Sequence, residues 1–105
     1  MDDVKRKRLE RAGWRFGDAG DFLGMTSEER AFVEVRLALG QHLRDLRVEH
    51  GWTQAHVAKL LNSSQSRVAK MEAADATVSV DLLVKSLLTL GASTEELGHV
   101  IARAG

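Results

Sequence analysis

The residues best equipped for chemistry are Gln65, Ser66 and Lys70, inside the run Thr53–Glu72, TQAHVAKLLNSSQSRVAKME. Their chemistry is hydrogen bonding without bond breaking. A glutamine amide presents a donor and an acceptor side by side, the pattern that pairs bidentately with adenine. A serine hydroxyl suits several bases, and a lysine ammonium reaches guanine or phosphate. With Val68 and Met71 turned inward, helical spacing puts Gln65, Ser66, Ala69 and Lys70 on the opposite surface. Arg67 falls at the edge of that face, where phosphate and water suit it equally.

Other chemistries fit less well. His42, His50, His56 and His99 lack the spacing and the Cys or Glu companions of a zinc site, so no metal and no cofactor is expected. Ser63, Ser64 and Ser66 lie near His56, but there is no strained turn and no oxyanion donor set. Helix capping explains two of those serines better, and catalysis is not expected. The chain has no cysteine, which removes disulfides and thiolate metal sites.

Those residues need a scaffold, and 105 residues supply one modest core. Thr26-Ser-Glu-Glu29 has capping-box spacing and predicts a long helix from about Ser27 to His50, closed by Gly51. Leu39, Leu43 and Leu46 form its apolar stripe. Thr53 caps a second helix, with Trp52 positioned to staple onto Val57 and with Ala55, Ala58 and Leu61 as its buried stripe. Asn62 tolerates the left-handed conformation, and Ser64 caps a third helix. Ser79 caps a fourth, where Val78 can staple onto Leu83 and which Gly91 ends. Ser93-Thr-Glu-Glu96 is a second capping-box pattern and opens a fifth helix with Leu97, Val100 and Ile101. Gly98 inside that helix costs roughly 1 kcal/mol relative to alanine. The expected class is all-α.

Two short helices joined by a polar turn form a helix-turn-helix pattern. In that geometry the first helix crosses the DNA backbone and the second lies in the major groove. The zero formal charge hides an uneven distribution. Residues 36–72 carry six basic and three acidic side chains, while residues 18–34 carry one and five. A mildly positive face can therefore sit on a neutral protein.

Residues 36–90 resemble the Xre (Cro/repressor-like) family, on "LRDLRVEHGWTQAHVAKLLNSSQSRVAKME" followed by "VSVDLLVKSLLTLGAS". The resemblance implies a five-helix, lambda-repressor-like DNA-binding domain. It implies that Gln54 bonds a phosphate and braces Gln65, that Ser64 starts the recognition helix, and that Gln65 and Ser66 read bases. It further implies an internal ion pair between Arg47 and Glu72. Two positions depart from the pattern: Asn62 replaces the glycine of the turn, and Ser63 replaces the apolar residue after it, so that turn should pack less firmly.

Residues 1–25 form an N-terminal arm ahead of a domain at 26–105. "AGWRFGDAGDFLGMTSEERAFVEVRLAL" resembles the antitoxins of the host-inhibition-of-growth toxin–antitoxin class. That resemblance implies autorepression and neutralisation of a small ribonuclease toxin. Trp14, Phe16, Phe22 and Leu23 would anchor the partner, with "GWRFG" adding as a strand to its sheet edge. Alternatively the aromatics fold back on their own domain or its dimer mate, leaving a stand-alone regulator or a protein-interaction adaptor. Lys5, Arg6, Lys7 and Arg8 would meet an acidic toxin surface or DNA backbone. No apolar segment follows them and no run is long enough for a membrane span, so a cytoplasmic chain is expected. The fourth and fifth helices carry more apolar surface than one small domain covers. A homodimer on an inverted-repeat operator is expected, with recognition helices about 34 Å apart.

Overall fold

The computed structural model describes residues 24–104. The chain divides into two units, residues 1–30 and 31–105, and the core described below belongs to the second. The arm residues Trp14, Phe16, Phe22 and Leu23, and the basic run at 5–8, lie outside the described residues. Five helices occur among the described residues, with no strand: α1 Ser27–Glu49, α2 Gln54–Leu60, α3 Gln65–Glu72, α4 Val80–Thr89 and α5 Thr94–Ala104.

The helix starts follow capping chemistry. Thr26 and Glu29 form the complete reciprocal box: the Glu29 amide donates to Thr26 Oγ1 at 3.1 Å and the Thr26 amide donates to Glu29 Oε1 at 3.2 Å. Thr53, Ser64 and Ser79 accept from the backbone amides of His56, Arg67 and Leu82. The second box is only half made. The Glu96 amide donates to Ser93 Oγ at 3.0 Å, but the Glu96 carboxylate is taken by His42 Nε2 on α1, 2.5 Å away. A long-range pair tying α5 to α1 has displaced the local one.

Four of the helices stop the same way. Beyond α1, α2, α3 and α4 a left-handed residue allows its own amide and the next one to fold back onto the last turn. Those residues are Gly51, Asn62, Ala74 and Gly91. For α3 the Ala74 amide donates to the Met71 carbonyl and the Asp75 amide to the Lys70 carbonyl. Alanine is the costly choice here, because its Cβ crowds the carbonyl by about 1–2 kcal/mol in this region. Glycine costs more chain entropy on folding. The expected net effect of Ala74→Gly is therefore a gain of about 0.5–1 kcal/mol, seen as a raised urea midpoint at unchanged slope.

The core is drawn from all five helices. Leu39, Leu43, Val57, Val68, Met71, Leu83 and Leu87 are its fully buried members, each worth about 1.5–3 kcal/mol of apolar transfer. Val78 and Leu83 are both buried, as a staple over the start of α4 requires. Ser86 is buried among them and its hydroxyl donates to the Met71 sulfur at 3.5 Å.

Two sequence expectations need correction. On α2 the buried residues are Val57 and Ala58, with Leu61 half-buried and Ala55 exposed. Val57 joins Ala58 in the core and is not only a staple. On α5 Leu97 and Val100 are joined by Ala104, while Ile101 is exposed. Trp52 is half-buried against the core and flanked by two histidine rings, His50 at 4.3 Å and His56 at 5.7 Å between centroids.

α1 approaches the end of α3 through Gly40. A Cβ placed there would stand 2.7 Å from the Met71 carbonyl oxygen and 3.2 Å from that of Glu72. The bare Cα lets the long helix lie directly on the backbone of the short one.

Candidate nucleic-acid interface

The turn between α2 and α3 is closed by backbone bonds. Leu61 ends α2 in helical conformation, Asn62 turns left-handed at φ 54°, and the Ser63 amide returns 2.8 Å to the Ala58 carbonyl. Ser64 then takes extended backbone at φ −106° and ψ 155° and caps α3 through its hydroxyl. Both departures from the usual pattern are absorbed in this way. Asn62 makes the left-handed step, and Ser63 contributes an amide.

α3 shows its polar side outward. Val68 and Met71 are buried, Ser64, Gln65, Ser66, Arg67 and Lys70 are exposed, and Ala69 is half-buried. The exposed side chains at 65, 66 and 70 form the face expected from helical spacing. Arg67 stands on its flank.

The far end of α3 is fixed by charge. Arg47 Nε donates to Glu72 Oε2 at 2.6 Å, and a second guanidinium nitrogen donates to Oε1 at 3.0 Å. The third nitrogen donates to the Trp52 carbonyl at 3.1 Å. The amide nitrogen of Gln54 adds a bond to Glu72 Oε1 at 3.2 Å. The side chains of Arg47 and Glu72 are 17% and 6% exposed, so this is a largely buried pair whose carboxylate is satisfied by three donors. Hydrogen bonding to Glu72 holds the Arg47 guanidinium above its ordinary pKa. One cluster thus joins α1, the entry to α2, the first residue of α2 and the last residue of α3. Gln54 is engaged with Glu72, at the opposite end of α3 from Gln65. The geometry fixes the angle at which α3 is presented.

Beyond α3 the chain is held by Asp75, whose carboxylate accepts from the Thr77 amide at 2.8 Å and the Thr77 hydroxyl at 2.6 Å. Those bonds, with the nearby charges of Lys70 and Arg36, hold its pKa below the ordinary carboxylate value. Arg36 itself lies over the Phe32 ring, 5.3 Å from its centroid. Sequence reasoning did not single out Arg36, Gly40 or Ala74. Gly40 offers the one usable signal, a glycine in the middle of an otherwise strong helical pattern.

Among the described residues no group of three His, Cys, Asp or Glu side chains is arranged to hold a metal ion. No helix among them is long and apolar enough to cross a membrane.

A family model described as a helix-turn-helix domain matches residues 38–100. The chain belongs to the helix-turn-helix domain family. The match starts within α1 and ends within α5, so the buried Arg47–Glu72 pair and the exposed face of α3 both lie inside this helix-turn-helix domain. No curated protein and no solved structure matches the chain at a significant level. With an Xre-like order of helices, the helix-turn-helix domain is that of a DNA-binding protein.

Proposed function

We propose that the chain is a sequence-specific transcriptional repressor that reads an operator through α3. The observation that carries this reading is the exposed set Gln65, Ser66 and Lys70 on a helix whose far end is pinned by a buried ion pair. Side chains that read base edges need positions fixed to a fraction of a hydrogen-bond length, and flexible surface side chains on a loose helix would not supply that. Gln65 is assigned to adenine, Ser66 to a neighbouring base, Lys70 to guanine or phosphate, and Arg67 to phosphate. Ser64 and Gln54 flank the groove, at the start of α3 and the start of α2.

The repressor acts as a homodimer on an inverted repeat. Leu88 on α4 and Ile101 on α5, 41% and 42% exposed, support a second copy as the cover for these apolar side chains. In the finer reading the chain is an antitoxin that autorepresses its operon and neutralises a ribonuclease toxin in the cytoplasm. That reading is supported by the resemblance of residues 12–39. Co-expression with the adjacent small open reading frame followed by co-purification tests it. Failure to recover a complex leaves a stand-alone regulator, or an adaptor if operator binding is also missing.

Gln65→Ala tests base reading. The expected loss is about 1–3 kcal/mol on a preferred duplex, with non-specific binding and its salt dependence nearly unchanged. Titrations of preferred and scrambled duplexes at several salt concentrations measure both. Equal loss on the two would show that Gln65 does not discriminate bases.

A further inference from the structure

Residues along α3 step by about 100°, which sorts its outer surface into rows. Ser66 points most directly away from Val68 and Met71, with Lys70 and Ala69 to either side of it. Gln65 and Ala69, four residues apart, form the adjacent row, on the same side as Glu72 and its bond to Gln54. Ala69 is half-buried and has polar side chains on either side. Its methyl is therefore a shallow apolar spot set low between Gln65 and Lys70.

In the major groove only thymine carries an apolar group, its 5-methyl, and alanine is a side chain that fits against it. A separation of four residues along a helix is about 6 Å, and base pairs are stacked about 3.4 Å apart. We propose that Ala69 is a specificity-determining residue that reads a thymine methyl within two base pairs of the adenine held by Gln65. This rests on the operator-reading function proposed above and adds to it the kind of base pair recognised. A polar side chain at 69 would discard that contact, and a larger apolar one would hold α3 away from the groove.

The test uses the full-length protein and a duplex that it selects from a randomised library. Each thymine of the selected duplex is replaced singly by uracil, which removes the methyl and leaves every hydrogen-bonding group. For the unaltered protein one thymine per half-site, within two base pairs of the Gln65-dependent adenine, is expected to lose affinity by about fourfold. Ala69→Gly is expected to bind the thymine and uracil duplexes equally. The ratio is taken within one protein, so any loss of helix stability in the glycine variant cancels. Ala69→Ser, which keeps a Cβ, is expected to show a ratio below that of the unaltered protein. If no thymine shows the effect, or if the variants keep the full ratio, Ala69 does not read a methyl and the inference fails alone. If the unaltered protein selects no sequence at all, the operator-reading function falls and this inference falls with it.

Discussion

Glu72→Ala is expected to destabilise the domain by about 3–5 kcal/mol, the largest single effect among the sites considered. The pair is largely buried, and truncation strands the Arg47 guanidinium with the carbonyl of Trp52 as its remaining partner. It also strips Gln54 of the carboxylate that its amide holds. An exposed ion pair would behave differently, costing about 0–1 kcal/mol on truncation. Urea unfolding distinguishes the two, since the gap exceeds the error of extrapolation. The double replacement Arg47→Met with Glu72→Leu removes both charges and is expected to recover much of the loss. Its operator affinity should recover less, because an apolar contact does not fix the angle of α3 as three converging hydrogen bonds do. A loss below about 1 kcal/mol for Glu72→Ala would mean that the pair is not structural.

Gly40→Ala is expected to be the second largest stability effect, a loss of about 1–3 kcal/mol despite the better helix propensity of alanine. The added Cβ would stand 2.7 Å from the Met71 carbonyl oxygen, and a backbone atom cannot swing aside. α1 has to lift from the end of α3, loosening Leu39 and Leu43 against Met71. Gly98→Ala is the matched control. It also lies inside a helix, but nothing stands within 4 Å of the added Cβ, so the propensity gain of about 1 kcal/mol should appear undiminished. Opposite signs for one chemical change at two helical glycines, read from thermal or urea midpoints, would establish the close approach. A gain at both positions would contradict it.

The parts of this fold that could be read from the sequence are those fixed within four residues. Thr26, Thr53, Ser64 and Ser79 cap because a hydroxyl reaches its own helix's free amides whatever else surrounds it. Gly51, Asn62 and Gly91 carry visible signals for left-handed backbone. Ala74 carries none, and its nearness to Gly40 shows only in three dimensions. Ala58 and Leu61 of the α2 stripe face the core, but Ala55 was placed there instead of Val57. The reason is that seven residues span barely two turns, and Val57 fits both the staple and the core. Glu96 was assigned to its own cap because the competing partner, His42, is 54 residues away. The exposed face of α3 followed from spacing, whereas the pair that aims it was expected only from family resemblance, and its burial is visible only in three dimensions.

The reading of α3 as the recognition helix is tested most directly by backbone amide shifts of the full-length protein, followed as a selected duplex is added. The largest changes are expected from Ser64 to Lys70 and at Gln54, with a scrambled duplex moving Gln65 and Ser66 much less. Changes concentrated on α4 and α5, with Ser64 to Lys70 unmoved, would contradict the assignment of α3 to the groove.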